Sequence, residues 1–119
     1  MTRYRVVQWA TGNIGQRALR AVLDREMFEL VGVHAFSPEK VGRDAGPLAG
    51  VAPVGVLATD NVDALIGAAP DCVIYTPHFI DYALVDRLLR AGINVVTTGD
   101  FLIPRASRWK LRANRGWMP

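Results

Sequence analysis

Six residues near the start of the chain, Ala10-Thr11-Gly12-Asn13-Ile14-Gly15, have a spacing that suits a phosphate group. They follow a compact apolar run and open a stretch with helical periodicity. In a G-x-G-x-x-G turn the first glycine permits the tight turn, and the second lets the backbone approach a diphosphate. The third lets helix and strand pack closely, and the diphosphate lies at the helix N-terminus. The pattern predicts a dinucleotide site, and the alternative is an ordinary strand-to-helix turn without a ligand.

The two glycines of this turn lead to an expectation about mutants. Gly12→Ala or Gly15→Val is expected to abolish dinucleotide binding while leaving the fold largely intact. Ala10 stands at the position of the first glycine, which is a departure from the full pattern.

The loop after the second apolar run predicts which dinucleotide is preferred. An acid about 20 residues beyond the turn favours the free 2′-hydroxyl of NAD, but the residues there are Ala35, Phe36 and Ser37. Ser37 can donate to a phosphate, and Lys40 and Arg43 follow in the same loop. The lack of an acid and the presence of these polar and basic residues favour NADP over NAD. The alternative is that Lys40 and Arg43 are ordinary solvated loop charges.

Two further polar segments, residues 76–78 and 97–101, follow apolar runs. Ligands of open α/β sheets bind beyond the carboxyl ends of the strands, so both segments can face a ribose or nicotinamide. His78 is a candidate proton donor, since imidazole changes charge near neutral pH; the alternative is a surface histidine at a helix start. His34 lies inside an apolar run and is predicted to be packed. The two histidines are too few for a metal site.

The rest of the chain alternates between apolar runs of strand length and helical stripes. Strands are predicted at residues 3–10, 28–36, 54–58, 71–76 and 93–99. Helices are predicted at about 13–25, 61–69 and 80–92, and a loop with room for one helical turn at 37–53. Apolar strands joined through helices form a parallel sheet covered on both faces. We therefore expect a single α/β domain, a Rossmann-like doubly wound parallel sheet of about five strands, with the first strand central and the fifth at an edge.

Charge and composition separate the chain into two parts. Residues 1–104 carry nine Lys and Arg against eleven Asp and Glu, whereas residues 105–119 carry five basic residues and no acid. We interpret 1–104 as the dinucleotide-binding domain and 105–119 as a basic irregular tail, so the net charge does not indicate a nucleic-acid partner. Cys72 is the only cysteine, which excludes an intrachain disulfide. No apolar run approaches a membrane span and no signal peptide is recognisable, so a soluble, cytoplasmic protein is expected.

Three stretches carry a resemblance to a known family: RVVQWATGNIGQRAL, GVHAFSPEKVGRDAGPLAG and NVVTTGDF. They resemble the N-terminal domain of the dihydrodipicolinate reductase-like proteins over residues 3–102. Within that family the chain is similar to 2,4-diaminopentanoate dehydrogenase and related NAD(P)H-dependent amine dehydrogenases of actinobacterial type. The segment GRDAGPLAG at 42–50, followed by TTG at 97–99, is far more specific than the glycine turn. The resemblance implies a nicotinamide dinucleotide cofactor, NADP or NAD, and oxidoreductase chemistry at a carbon–nitrogen bond.

The resemblance also implies roles for individual residues. By position the diphosphate would be held by Gly12, Asn13, Ile14 and Gly15, and the adenosine ribose would be flanked by Phe36 and Ser37. The cofactor cleft would be lined by Thr76 and Pro77, and the nicotinamide approached by Thr97, Thr98 and Gly99. No catalytic residue and no metal ligand is assigned. Phe36 stands where dihydrodipicolinate reductases usually carry an acid, which argues against that particular activity.

Family members continue into a second domain that holds the substrate, whereas this chain continues after Leu102 as IPRASRWKLRANRGWMP. We therefore expect weak or no activity from this chain alone, and a small-molecule substrate only where a substrate domain is supplied. The alternative is a non-catalytic nucleotide-binding module, or a subunit acting with a separate catalytic chain. An open edge at the fifth strand makes a homo-oligomer possible. No nucleic-acid or membrane partner is expected.

Overall fold

The computed structural model describes residues 3–98, in which strands and helices alternate as the apolar periodicity predicts. The elements are β1 (Tyr4–Trp9), α1 (Asn13–Leu23), β2 (Phe28–His34), α2 (Ala45–Leu48), β3 (Ala58–Thr59), α3 (Val62–Gly67), β4 (Cys72–Tyr75), α4 (Tyr82–Arg90) and β5 (Asn94–Thr97). The short α2 is the single helical turn for which the 37–53 loop has room. The basic tail, residues 105–119, lies outside the described residues.

The five strands form one parallel sheet in the order β3-β2-β1-β4-β5. This confirms the predicted doubly wound α/β fold, with β1 in the centre and β5 at one edge. Trp9 at the end of β1 is in register with His34 of β2 and Tyr75 of β4. Because these three strands end side by side, the loops that follow them meet at one edge of the sheet.

The third strand is shorter than predicted and begins later. Instead of spanning 54–58, β3 contains only Ala58 and Thr59. The preceding residues pair with the loop before α2, where the Ala45 N–H donates to the Val56 carbonyl at 2.8 Å and the Ala58 N–H donates to the Arg43 carbonyl at 2.8 Å. These bonds use groups of residues 56 and 58 that face away from β2, whereas the N–H groups of Val54 and Gly55 donate to the Asp44 carboxylate at 2.9 Å and 2.7 Å.

Two cores cover the two faces of the sheet, as expected for a doubly wound fold. The first packs beneath α1 and α2 and contains Leu19, Val33, Ala35, Ala45, Leu48, Ala49 and Ala58. The second packs beneath α3 and α4 and contains Val7, Trp9, Leu65, Val73, Tyr75, Val85, Leu88 and Ile93. Alternate residues of each strand therefore face opposite helices, which places Trp9 and Tyr75 on the α4 side.

Helices α3 and α4 each begin at a side chain that accepts from the backbone. Asn61 Oδ1 accepts from the Ala64 N–H at 3.0 Å, and Asp81 Oδ1 accepts from the Leu84 N–H at 3.2 Å. The N-cap of α3 is thus Asn61, and that of α4 is Asp81. Such caps satisfy amide donors that would otherwise remain free at a helix start.

Candidate functional site

A cleft of about 820 Å³ lies where the loops after β1, β2 and β4 meet. Its walls are residues 10–14, Phe36, Ser37, Lys40, Thr76, Pro77, His78 and Thr98. Parallel α/β sheets bind ligands at this edge because adjacent loops diverge there and leave a crevice. Most of the residues predicted from the sequence are therefore in one place.

The start of α1 is the part of the cleft best suited to an anion. Gly12 is the N-cap of α1 and, among the described residues, no side chain caps this helix. A Cβ added to Gly12 would meet no atom within 4 Å, so the space in front of the turn is open. The first turn contains no acidic residue. Free N–H groups and the positive end of the helix dipole therefore face the cleft.

Gly15 has a different role from Gly12. A Cβ on Gly15 would lie 2.2 Å from the Ala10 carbonyl oxygen and 3.1 Å from Thr76 Oγ1. This residue is buried and lets α1 pack directly on the end of β1. The expectation that Gly15→Val leaves the fold intact is therefore wrong, because the added side chain would collide with backbone.

Ala10 adopts the backbone conformation that a first glycine would supply. Its φ is +87°, in the region that favours glycine, and this conformation costs an alanine about 1–2 kcal/mol. The side chain of Gln8 reaches this turn from within the sheet: Gln8 Nε2 donates to the Ala10 carbonyl at 3.0 Å and to Thr76 Oγ1 at 3.0 Å. Sequence reasoning missed Gln8, although an amide within an otherwise apolar central strand was a usable signal.

Lys40 reaches the glycine turn from the loop after β2. Its Nζ donates to the Thr11 carbonyl at 2.8 Å, which holds an ammonium group close to the N-terminus of α1. Ser37 is half-buried in the same cleft, whereas Arg43 is exposed and is not part of its wall. Of the two loop cations considered from the sequence, one therefore contributes positive charge to the site.

Two predicted site residues that the structure describes, Gly15 and Thr97, do not line this cleft. Gly15 lies behind it, and Gly99 is outside the described residues. Thr97 borders a different cavity of about 350 Å³ beside α4, together with Tyr82, Val85 and Leu89. His78 is exposed at the wall of the cleft, and its role as a proton donor stays a prediction.

A second cavity, of about 410 Å³, adjoins the cleft at Phe36 and extends toward α4. Its aromatic wall is ordered by stacking: the rings of Trp9 and His34 lie 4.3 Å apart and within 3° of parallel. Phe36 meets the His34 ring edge-on at 4.6 Å. Tyr75 is fixed at its hydroxyl, which accepts from the Asp81 N–H at 3.0 Å. His34 is buried as predicted, but it belongs to this wall.

Two polar atoms in the wall of the second cavity have no hydrogen-bond partner among residues 3–98. They are Trp9 Nε1 and His34 Nδ1, and both side chains are at least 95% buried. Burial lowers the pKa of His34, and the nearby charge of Asp60 opposes that shift. Leaving such groups unpaired costs about 1–3 kcal/mol each.

Residues 3–98 contain neither a candidate metal site nor a candidate membrane-spanning helix. Within that range there is no cluster of three His, Cys, Asp or Glu side chains that could hold a metal ion. No helix there combines the length and the apolar character needed to cross a bilayer. Cys72 is half-buried in β4, and burial raises the pKa of its thiol.

Comparison with known proteins identifies the family. Residues 6–101 match the family model described as dihydrodipicolinate reductase, N-terminus. An amine dehydrogenase of Streptomyces virginiae is 41% identical over 97 residues, which cover 76% of this chain and 27% of that protein. A 4-hydroxy-tetrahydrodipicolinate reductase of Anaeromyxobacter sp. (strain Fw109-5) is 29% identical over 101 residues, which cover 85% of this chain and 37% of that protein.

A solved structure agrees with these sequence matches. The amine dehydrogenase from Mycobacterium smegmatis is similar with a TM-score of 0.67 at 29% identity, over 79% of this chain and 29% of that chain. The matches thus extend over 27% to 37% of the lengths of these three proteins. The chain belongs to the dihydrodipicolinate reductase family, and residues 6–101 correspond to the N-terminal, nucleotide-binding domain of that oxidoreductase family.

Proposed function

We propose that this domain binds a nicotinamide dinucleotide in the 820 Å³ cleft and serves an oxidoreductase that acts on carbon–nitrogen bonds. The observation that carries the proposal is the start of α1, where Gly12 leaves open space and no side chain of the described residues caps the helix. The Lys40 ammonium beside Thr11 adds a positive charge at the same point. Uncapped amides, a helix dipole and a cation together suit a diphosphate.

The other predicted residues follow from that placement. With the diphosphate at Gly12, Asn13 and Ile14, the adenosine ribose would lie against Phe36 and Ser37, and the nicotinamide side of the cleft would be formed by Thr76, Pro77 and Thr98. The bound dinucleotide would supply the hydride, while the chain's own residues bind and orient it. His78, exposed at the cleft wall, is the imidazole placed to move a proton there.

The second cavity supports a position for the adenine ring. It adjoins the cleft at Phe36 and offers stacked aromatic rings, which favour a flat π-system. Phe36, which is 62% exposed, lines both cavities, so it can contact an adenine ring whose diphosphate lies at the glycine turn.

We further propose that NADPH is preferred over NADH. The loop after β2 places Ser37 and Lys40 in the cleft wall, and no acid replaces them. A hydroxyl and an ammonium near the ribose favour a 2′-phosphate, whereas an acid would favour the free 2′-hydroxyl. The carbon–nitrogen substrate class rests on the amine dehydrogenase and dihydrodipicolinate reductase relatives.

The test is a calorimetric titration of NADPH and NADH into the wild-type chain, Gly12→Ala and Gly67→Ala. Both glycines have open space for a Cβ and neither has a positive φ, so both variants should fold. Gly67 lies in α3, on the other face of the sheet, and supplies the matched control. We expect Gly12→Ala to weaken binding by about tenfold or more, because one lost charge-assisted hydrogen bond has that magnitude.

The outcomes of this titration are distinct. Unchanged affinity for Gly67→Ala together with the loss for Gly12→Ala supports the proposed site. Equal affinity of all three proteins would place the dinucleotide elsewhere, and no binding to the wild-type chain would overturn the function itself.

A further inference from the structure

We propose that Gln8 is a positioning residue for dinucleotide binding, whose buried amide holds the Ala10 turn in the shape that a glycine would adopt unaided. The proposal rests on the proposed function of the cleft. It assigns a role to a residue that does not itself line the cleft.

The first step is the placement of the amide. Gln8 lies in the central strand β1 and is completely buried. Its Nε2 donates to the Ala10 carbonyl and to Thr76 Oγ1, each at 3.0 Å. Thr76 Oγ1 in turn donates to the Trp9 carbonyl at 3.2 Å. One side chain thus links the turn after β1 to the residue after β4, and both of those segments line the cleft.

The second step is the constraint on Ala10. With φ at +87° this alanine is held in a conformation that L side chains rarely adopt. Its carbonyl oxygen lies 2.2 Å from the position that a Cβ on Gly15 would take. It is therefore packed closely between α1 and the Gln8 amide. Rotation of that carbonyl would move the start of α1. Gln8 therefore acts on Gly12 through Ala10.

The third step is the cost of the arrangement. Gln8 Oε1 is buried and has no hydrogen-bond partner among residues 3–98. A valine or isoleucine in a central parallel strand would avoid that unpaired oxygen. As a core residue, Gln8 is therefore less stabilising than valine or isoleucine would be. The hydrogen bonds from its Nε2 to the turn account for its presence.

The experiment is a double-mutant cycle on the full 119-residue chain. The four proteins are wild type, Gln8→Met, Ala10→Gly and the double variant, each titrated with NADPH. We expect Gln8→Met to weaken binding by about tenfold in the wild-type background. In the Ala10→Gly background we expect a loss of less than about threefold, because glycine adopts positive φ without support.

Two controls separate positioning from general stability. Ala69 also has a positive φ, of +52°, but lies after α3, so Ala69→Gly matches Ala10→Gly away from the cleft. Leu88→Ala removes a fully buried side chain beneath α4 and destabilises the fold without touching the turn. Both controls should retain NADPH affinity at a temperature at which they are folded. Should Gln8→Met fail to fold, Gln8→Asn keeps an amide but shortens its reach and takes its place.

A ligand-free readout tests the turn separately. The one-bond Cα–Hα coupling of Ala10 in NMR reports the sign of φ, and we expect Gln8→Met to shift it away from the positive-φ value. An unchanged coupling, or an equal loss of affinity in both Ala10 backgrounds, would overturn this inference while leaving the proposed function intact. Failure of the wild-type chain to bind either dinucleotide would overturn both.

Discussion

The glycine turn at residues 10–15 and the loop at residues 44–55 are both built around glycine, yet they use their backbone amides in opposite ways. In the loop, Asp44 accepts from the N–H groups of Gly46 at 2.8 Å, Val54 at 2.9 Å and Gly55 at 2.7 Å. In the turn, Gly12 begins a helix that no described side chain caps. The loop uses its donors internally, whereas no described side chain accepts from the donors at the start of α1.

This difference shows why specificity in sequence and function need not coincide. GRDAGPLAG is the most distinctive stretch of the chain, but its Asp44 and Gly46 serve the packing of α2 against residues 52–55. The less distinctive A-x-G-x-x-G turn carries the open space and the uncapped helix. Unpaired backbone N–H groups are therefore a better indicator of a binding site than a rare sequence motif is.

The largest expected effect separates Gly15 and Gly46, where backbone blocks the position of a Cβ, from Gly12, where that position is open. A Cβ on Gly46 would lie 1.9 Å from the Ala52 carbonyl oxygen, and a Cβ on Gly15 would lie 2.2 Å from that of Ala10. Gly46→Ala and Gly15→Ala should each lower the free energy of unfolding by about 1–3 kcal/mol or more. Gly12→Ala should change it by less than about 0.5 kcal/mol. Urea denaturation measures all three, and comparable destabilisation of Gly12→Ala would remove the contrast.

The next effect concerns the charge of Asp44. Hydrogen bonds from the N–H groups of Val54, Gly46 and Gly55 lower the pKa of its carboxyl group. A carboxyl whose folded pKa is depressed stabilises the fold above its unfolded pKa, and that stability is lost as the pH falls through the folded value. Asp44→Asn should therefore lower the melting temperature near neutral pH, and the difference from wild type should shrink in acid.

The control for that pH series is Glu39→Gln, which removes an exposed carboxylate from the same loop region. It should leave the melting temperature nearly unchanged at every pH. A gap between wild type and Asp44→Asn that is constant with pH would show that the carboxylate charge is not what holds the loop.

The smallest effect is a change of preference between two closely related ligands. Ser37→Glu should weaken NADPH binding and strengthen NADH binding, because a carboxylate repels a 2′-phosphate and accepts from a 2′-hydroxyl. Lys40→Met should weaken both, and NADPH more than NADH, since its ammonium lies beside Thr11 at the turn and in the same cleft wall as Ser37. Each change should be about three- to tenfold, the range of one exposed charge contact. Tighter binding of NADH than NADPH to the wild-type chain would contradict the preference.

Local patterns predicted the sheet well, because apolar runs and the glycine turn are encoded within a few residues. The order of strands and the cleft formed by Gly12, Phe36 and Thr76 followed from the general rules of parallel sheets. The short β3 did not follow, since the N–H groups of Val54 and Gly55 donate to the Asp44 carboxylate instead of pairing with β2. Such pairings between distant segments leave no local periodicity.

The deeper parts of the site were also hidden from the sequence. The cavity beside Trp9 and His34 lies where β1, β2 and β4 end in register. The sequence of one strand does not show how that strand aligns with its neighbours. The strain at Ala10 was anticipated only as a departure from the glycine pattern. Its support by Gln8 depends on a side-chain orientation that alternation within β1 suggests but does not specify.

The most direct test of the account is a map of backbone amide shifts in NMR as NADPH is added to the wild-type chain. We predict large changes at Thr11, Gly12 and Asn13, accompanied by Ser37 and Thr76, and little change at Gly46, Val54 and Gly55. This pattern would show that the ligand occupies the turn with unpaired donors and avoids the loop whose donors are used. Changes centred on residues 44–55, or none at residues 11–13, would contradict the account.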